Sequence, residues 1–370
     1  MRVLILSCNT GEGHNSCSKA IQTSFSHRDI DCSIEDALRF VSPTFSKVMS
    51  WGHAQMYRHA PSVFRSGYQY AEVHTGLFHE QAGIYKMLTS GTEKLYHFII
   101  ENNFDFILCT HVFSALMITD VLRKYQLKVK TGFVATDYTC SPSCGDSELD
   151  VYFIPDSSLK DEFVSCGVPK GNLFVSGIPI RQEFLYSTEK SKAKENLGLP
   201  SNSRHLLIMS GSMGCGPIKE LLKQFQLQIP DNCHISVVCG TNERLRKNLE
   251  QEHKAHPRIH IYGYRKDIPM MMDSADLYLT KPGGISTSEA ASKNLPMVFV
   301  NAVAGCETYN MNFFVQRGSA VTAETPEELA TLTLSLLAND DQLKQMSLSF
   351  NPFNPGAAAD IICDYFINTP

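Results

Sequence analysis

The sequence predicts an α/β protein of two doubly wound domains, and three observations predict it. An apolar run, Arg2–Ser7, opens into the glycine loop Gly11-Glu12-Gly13, followed by a helical pattern with Ala20, Ile21 and Phe25 on one face. The rhythm restarts at His205–Ser210, which runs into Gly211-Ser212-Met213-Gly214-Cys215-Gly216-Pro217 and a helix with Ile218, Leu221, Leu222 and Phe225 inward. Elsewhere, short apolar runs alternate with polar or helical stretches, the pattern of parallel sheets covered on both faces.

In chain order, Asp31–Asp36 reads as the second strand. Residues 41–100 mix aromatic and apolar side chains (Trp51, Tyr57, Phe64, Tyr68 among them) with Lys47, Arg58, Arg65, Lys86 and Lys94. This mixture suits either ordinary core helices or a surface with rings at headgroup depth and cations toward anionic lipid. Phe104–Thr110 is a buried strand ending at His111, and Lys130–Thr136 is another, ending at Asp137. Val151–Pro155 and Leu173–Gly177 complete the first half, and Pro179 closes it because proline cannot continue a strand interior.

Residues 183–203 are polar and read as a helical connection, placing the domains at 1–182 and 183–354, with a C-terminal helix over 355–370 crossing back to the first. In the second half the expected elements are strands at His234–Cys239, Ile259–Tyr264, Asp276–Leu279 and Pro296–Val300. Helices are expected at Glu243–His253, Met270–Ser274, Pro326–Leu337 and Ala357–Phe366.

The bulk properties narrow the class. The 370 residues are 43% hydrophobic and 19% charged, so the chain is globular. A net charge of −5 supplies no basic field for nucleic acid. No apolar run reaches the ~18–20 residues that span a bilayer. The twelve cysteines are scattered and no secretory segment is read ahead of them, so reduced thiols in the cytosol are expected. Cys140 and Cys144 form a C-x3-C pair with no second pair nearby, which reads as unpaired thiols rather than zinc.

Chemistry concentrates at loops that follow strands. His14 stands where the first glycine loop turns into its helix, and His111 and Asp137 project from the ends of other strands. An acid beside a histidine at one mouth suits a general base and its orienter. In the second half, Lys281-Pro282-Gly283-Gly284 leads into Ser286, Thr287, Ser288 and Glu289. Glycines allow close backbone approach, helix N-terminal amides suit phosphate, and a carboxylate can accept both hydroxyls of a ribose. The first loop carries serine at position 16 where a third glycine would complete a dinucleotide fingerprint, which disfavours NAD-dependent redox chemistry.

Five ordered motifs carry a family resemblance: G-E-G-H-N-S at 11–16, A-T-D-Y-T at 135–139, G-I-P-I-R at 177–181, S-G-S-M-G-C-G-P-I at 210–218 and K-P-G-G-I-S-T-S-E-A at 281–290. Together they resemble the monogalactosyldiacylglycerol synthase and processive diacylglycerol glucosyltransferase group of glycosyltransferase family 28. The resemblance covers nearly the whole chain. It departs from the group at Glu12, where three glycines are common, and at Ser286-Thr287, where a single threonine is usual.

The resemblance implies the GT-B fold, two Rossmann-like domains facing across a cleft. It implies an inverting transfer of glucose or galactose from a UDP-sugar to the hydroxyl of 1,2-diacylglycerol, giving a β-linked glycolipid. By position, Gly211, Ser212, Met213, Gly214 and Gly216 would hold the diphosphate, and the 262–264 backbone, Tyr264 included, the uracil. Glu289 would hold the ribose, and Gly283, Gly284, Ser286 and Thr287 belong with it to the UDP-sugar-binding set. Gly305, Glu307 and Asn310 would face the sugar and phosphate. His14 and Asp137 fall on acceptor-side catalytic positions, either being able to serve as base. The acceptor and membrane set is Gly13, Trp51, Tyr57, Arg58, Phe64, Tyr68 and His111. The UDP-sugar is a co-substrate, and no cofactor or metal is expected because no D-x-D loop is present. The expected location is peripheral, at the cytoplasmic face of the cell membrane, on an anionic surface. Two rivals are a lipid-linked muramyl-peptide N-acetylglucosaminyltransferase and a UDP-sugar sensor without turnover.

Overall fold

The structure, a computed structural model, describes residues 1–9, 11–73, 78–211, 214, 216–300, 305–351 and 357–368, without the side chains of residues 54, 57–59, 61, 64, 65 and 72. Ser212 and Met213, and the side chains of Tyr57, Arg58 and Phe64, therefore lie outside the described residues. The chain divides into two compact units, Met1–Gln182 with Val303–Tyr309 and Pro355–Pro370, and Glu183–Ala302 with Asn310–Asn354.

The first unit is built on strands β1 (Arg2–Ser7), β2 (Asp31–Asp36), β3 (Phe106–Cys109), β4 (Lys130–Val134), β5 (Val151–Ile154) and β6 (Leu173–Val175). They form one parallel sheet in the order β2-β1-β3-β4-β5-β6. Its helices are α1 (Glu12–Ser26), α2 (Leu38–Val41), α3 (Pro43–His59), α4 (Pro61–Val73), α5 (Gly83–Thr89), α6 (Thr92–Asn102), α7 (Val112–Tyr125) and α8 (Lys160–Ser165). β1 and β3 are central and apolar throughout their interior, and Val3, Leu4, Ile5, Ile107 and Leu108 are fully buried. α1 covers them with Cys17, Ala20, Ile21 and Phe25, the period of an amphipathic helix.

The second unit contains β7 (Arg204–Met209), β8 (Cys233–Val238), β9 (Ile259–Tyr262), β10 (Leu277–Thr280), β11 (Met297–Phe299) and β12 (Ala320–Thr322). These are again parallel, in the order β12-β11-β10-β7-β8-β9. Its helices are α9 (Lys190–Asn196), α10 (Ile218–Gln228), α11 (Glu243–His253), α12 (Ile268–Ser274), α13 (Gly284–Ser292), α14 (Cys306–Gln316, whose first turn groups with the first unit), α15 (Pro326–Leu337) and α16 (Asp340–Leu348). α10 and α15 pack on β7 and β8 through Leu221, Leu222, Phe225, Leu329 and Leu336.

The last helix, α17 (Ala358–Asn368), packs on α1. Phe366 meets Phe106 edge to face at 4.9 Å, and Arg28 pairs with Asp360 and Asp364. Burying a ring of this size contributes about 1.5–3 kcal/mol, more than the exposed ion pairs beside it.

Three features differ from the sequence expectation. Residues 183–203 are helical only in a short 3-10 turn, Gln182–Leu185, and in α9. Polar anchors hold that stretch: the Thr188 amide donates to Asp273, while Lys190 and Lys194 bind Asp276 at 3.0 Å each. β12 and α16 have no counterpart in the sequence pattern, because a three-residue strand and a short polar helix leave no periodic signal. Residues 41–100 divide between the two readings offered. Tyr85 and Leu88 are core, whereas Val48, Trp51, Val63, Tyr70 and Val73 on α3 and α4 are exposed.

Candidate active site

Each sheet has a topological switch point where the strand order reverses, and ligands bind such folds at the carboxyl ends of the strands there. In the first unit it lies between β1 and β3. The loop after β1 delivers His14 in the first turn of α1, and the loop after β3 delivers Thr110 and His111.

His14 is held from across the sheet. Its Nδ1 donates to the carbonyl of Thr110 at 2.7 Å, and the Thr136 hydroxyl lies 3.1 Å from the same nitrogen. A carbonyl can only accept, so the proton is on Nδ1 and Nε2 is the basic nitrogen. The Ser18 hydroxyl braces the turn, bonding to the His14 carbonyl at 2.9 Å and to Thr110 Oγ1 at 3.0 Å. Burial pushes His14 down to about 4, with the charge of nearby His53 adding to the effect and the Thr110 hydrogen bond opposing it. The ring is therefore neutral near pH 7.

His111 caps α7, its Nδ1 accepting from the Phe113 amide at 3.1 Å, and its ring meets His14 edge-on with centroids 4.7 Å apart. Burial and the charges of His14 and His53 hold it well below the usual histidine range. His53, on α3, is thus a third imidazole in this cluster, and no periodicity or motif in residues 41–100 singled it out. Asp137 follows Thr136 at the end of β4. It is half-buried and lies beside Cys306, whose thiol is pushed well up, first by burial and then by the Asp137 charge. The atom that fixes the His14 tautomer is the Thr110 carbonyl oxygen.

Gly13 adjoins His14 in the first turn of α1. A polar chain holds the loop before it: the Ser7 hydroxyl donates to Asn15, Asn15 to Asn9, and Asn9 to Asp36 at 3.0 Å. Gly305 adopts φ +62°, and a side chain there would sit 2.6 Å from the ring of Tyr68, so only glycine admits this packing. Trp51 is 67% exposed on α3.

In the second unit the switch point lies between β7 and β10, adjacent strands paired from Leu277 with Leu206 to Thr280 with Met209. The loops that follow them are the two glycine loops read from the sequence. Gly211, Gly214 and Gly216 all have positive φ, a backbone conformation that glycine adopts without strain. At Gly214 an added Cβ would stand 2.3 Å from the Cys239 carbonyl. The Ser210 hydroxyl, at the base of this loop, is buried and has no hydrogen-bond partner among the described residues.

Gly283 caps α13, and Gly284 begins it. The hydroxyls of Ser286 and Thr287 both turn back to the Gly283 carbonyl, at 3.2 and 3.0 Å, and Thr287 is fully buried. Glu289 is buried one turn further on, and Lys281, also buried, precedes the helix. Asn310 ties the Pro282 carbonyl at 2.9 Å, whereas Glu307 is buried beside Cys306. Tyr264, after β9, is 66% exposed.

Two parallel Rossmann-like domains carrying such loops at their switch points define the GT-B class of glycosyltransferase. Comparison with known proteins narrows it. The family described as monogalactosyldiacylglycerol (MGDG) synthase matches residues 14–180, and the glycosyltransferase family 28 C-terminal domain matches residues 205–360. The processive diacylglycerol beta-glucosyltransferase of Bacillus subtilis is 26% identical, covering 98% of this chain and 94% of the relative. That of Staphylococcus epidermidis is 28% identical over 74% of this chain and 69% of its own. Among solved structures, Acinetobacter baumannii MurG has a TM-score of 0.67 at 16% identity, covering 100% and 99% of the chains. Anabaena Alr3699/HepE with UDP-glucose has a TM-score of 0.58 at 16% identity, with both chains covered in full. The chain belongs to glycosyltransferase family 28, in the group of the monogalactosyldiacylglycerol synthases and processive diacylglycerol glucosyltransferases.

Proposed function

We propose that this protein transfers a hexose from a UDP-sugar to the hydroxyl of 1,2-diacylglycerol with inversion, forming a β-glycosyldiacylglycerol. The relatives' names favour diacylglycerol as acceptor and glucose as the hexose. The observation that carries the chemistry is the tautomer of His14. With Nδ1–H committed to Thr110, Nε2 is available to take a proton. The acceptor oxygen bonds to the anomeric carbon as the bond to UDP breaks, and the hydroxyl proton passes to Nε2. Asp137, after the end of β4, is the second acceptor-side group of this reading.

On the donor side, Glu289 accepts the ribose hydroxyls. The amides of the 211–216 loop and of the α10 N-terminus take the charge of the departing diphosphate. Charge supplied in this way calls for no divalent cation. The exposed apolar side chains of α3 and α4 enter the interface of an anionic membrane, with the protein peripheral at its cytoplasmic face. Among the described residues no helix is long and apolar enough to cross a membrane.

The test incubates the protein with diacylglycerol vesicles and either UDP-glucose or UDP-galactose, with EDTA present, and resolves the lipid products and their anomeric configuration. The reading expects β-glucosyldiacylglycerol in EDTA. An α-linked product, or transfer to a lipid-linked muramyl acceptor alone, would overturn it.

A further inference from the structure

The geometry points to a thiol–disulfide site in the first unit, pairing Cys140 with Cys166 and lying outside the residues assigned to transfer. Cys140 ends the polar stretch that follows β4, and Cys166 caps the C-terminus of α8. Their approach is built into the backbone. An added Cβ at Gly145 would lie 1.8 Å from the Cys166 carbonyl oxygen, and the Gly145 and Gly167 backbones also touch. Only glycine at 145 lets the 140–146 turn seat directly on residues 166–167.

Glu162 clamps the same turn from α8. Its Oε1 accepts from the Thr139 hydroxyl at 2.5 Å and from the Cys140 amide at 2.8 Å. The Cys140 thiol is in side-chain contact with both Cys144 and Cys166. The three sulfurs form a cluster that spacing alone presented as a lone C-x3-C pair. All three are free thiols.

Accessibility selects the pair. Cys144 is fully buried, Cys140 nearly so, and Cys166 is exposed. Exchange with a small disulfide must begin at an accessible sulfur, so Cys166 is the entry point and Cys140 the resolving thiol. The Cys166 thiol loses its proton and attacks one sulfur of a low-molecular-weight disulfide. One small thiol leaves and takes up that proton. Cys140, deprotonated in turn, attacks Cys166 Sγ and expels the second small thiol. The two protein thiols lose two electrons, and the small disulfide gains them. Cys144 pushes the Cys140 thiol up against the opposing bond from Cys166, Cys140 pushes the Cys166 thiol up, and burial and the Glu162 charge add to both, so exchange is slow at neutral pH. Closure draws the two sulfurs to about 2.05 Å and ties the stretch after Asp137 to α8.

The full-length protein is equilibrated with oxidised glutathione, its remaining thiols are blocked with N-ethylmaleimide, and it is digested without reduction for mass spectrometry. The expected result is a cross-linked peptide pairing Cys140 with Cys166, lost after dithiothreitol. C166S, at an exposed position that leaves folding intact, should abolish the cross-link, and C144S should retain it. Full alkylation of all three cysteines, glutathione left on Cys166 alone, or a Cys140–Cys144 cross-link would each overturn the proposal.

Discussion

His14 Nδ1 lies 2.7 Å from the carbonyl oxygen of Thr110, a residue 96 positions away in the chain. The contact exists because β1 and β3 are parallel neighbours in register from Val3 with Phe106 to Leu6 with Cys109. Both chains leave the sheet at the same edge, and one carbonyl fixes which nitrogen of His14 is basic.

The pH profile follows from this environment. Burial lowers the His14 pKa to about 4, so the base form dominates above roughly pH 5 and is lost only as pH falls toward 4. The acid limb of kcat/KM, which reports the free enzyme, should lie well below the ordinary histidine value of about 6.5. A His14-dependent limb at about 6.5 would show that the ring is solvated in solution.

Glu289 should separate binding from chemistry. Glu289→Ala is expected to raise the KM for UDP-sugar by about 10–100-fold, the loss of one or two charge-assisted hydrogen bonds, with a smaller change in kcat. Titration with UDP by calorimetry checks the same loss without turnover. UDP affinity unchanged in Glu289→Ala would remove this residue from the ribose.

Acid stability should depend on His205. It is fully buried between the Ser274 and Ser236 hydroxyls, at 2.9 and 2.8 Å, and burial lowers it to about 3. Its folded pKa is below its unfolded value of about 6.5, so the unfolded chain binds the extra proton. Stability from this group is fully present above pH 6.5 and declines as pH falls toward 3. His205→Gln should flatten the fall in Tm between pH 6.5 and 4.5. An unchanged slope would assign the acid sensitivity elsewhere.

Exposure on α3 and α4 gives a membrane prediction. Val48 and Trp51 are one turn apart on α3, and Val63, Tyr70 and Val73 share a face of α4. Trp51→Ser with Val63→Ser should weaken sedimentation with anionic liposomes at least several-fold while UDP binding persists. Unchanged sedimentation would remove this face from the membrane.

Legibility followed locality. β1, β3 and β7 were readable as continuous apolar runs, and the glycine loops after β1, β7 and β10 placed ligand chemistry at strand ends. β12 was too short to carry a pattern. The Thr110 carbonyl could not be read because a backbone atom leaves no mark in side-chain spacing. His53 and Cys166 were hidden for a related reason: tertiary packing, not sequence neighbourhood, brings them to His14 and Cys140.

The role of His14 as base is tested most directly by the turnover of His14→Ala with UDP-glucose and diacylglycerol vesicles, beside its affinity for UDP. A fall in kcat of about 10²–10⁴-fold is expected, the range for loss of a general base, with UDP affinity within about twofold of the unaltered protein. Near-full turnover by His14→Ala would contradict it.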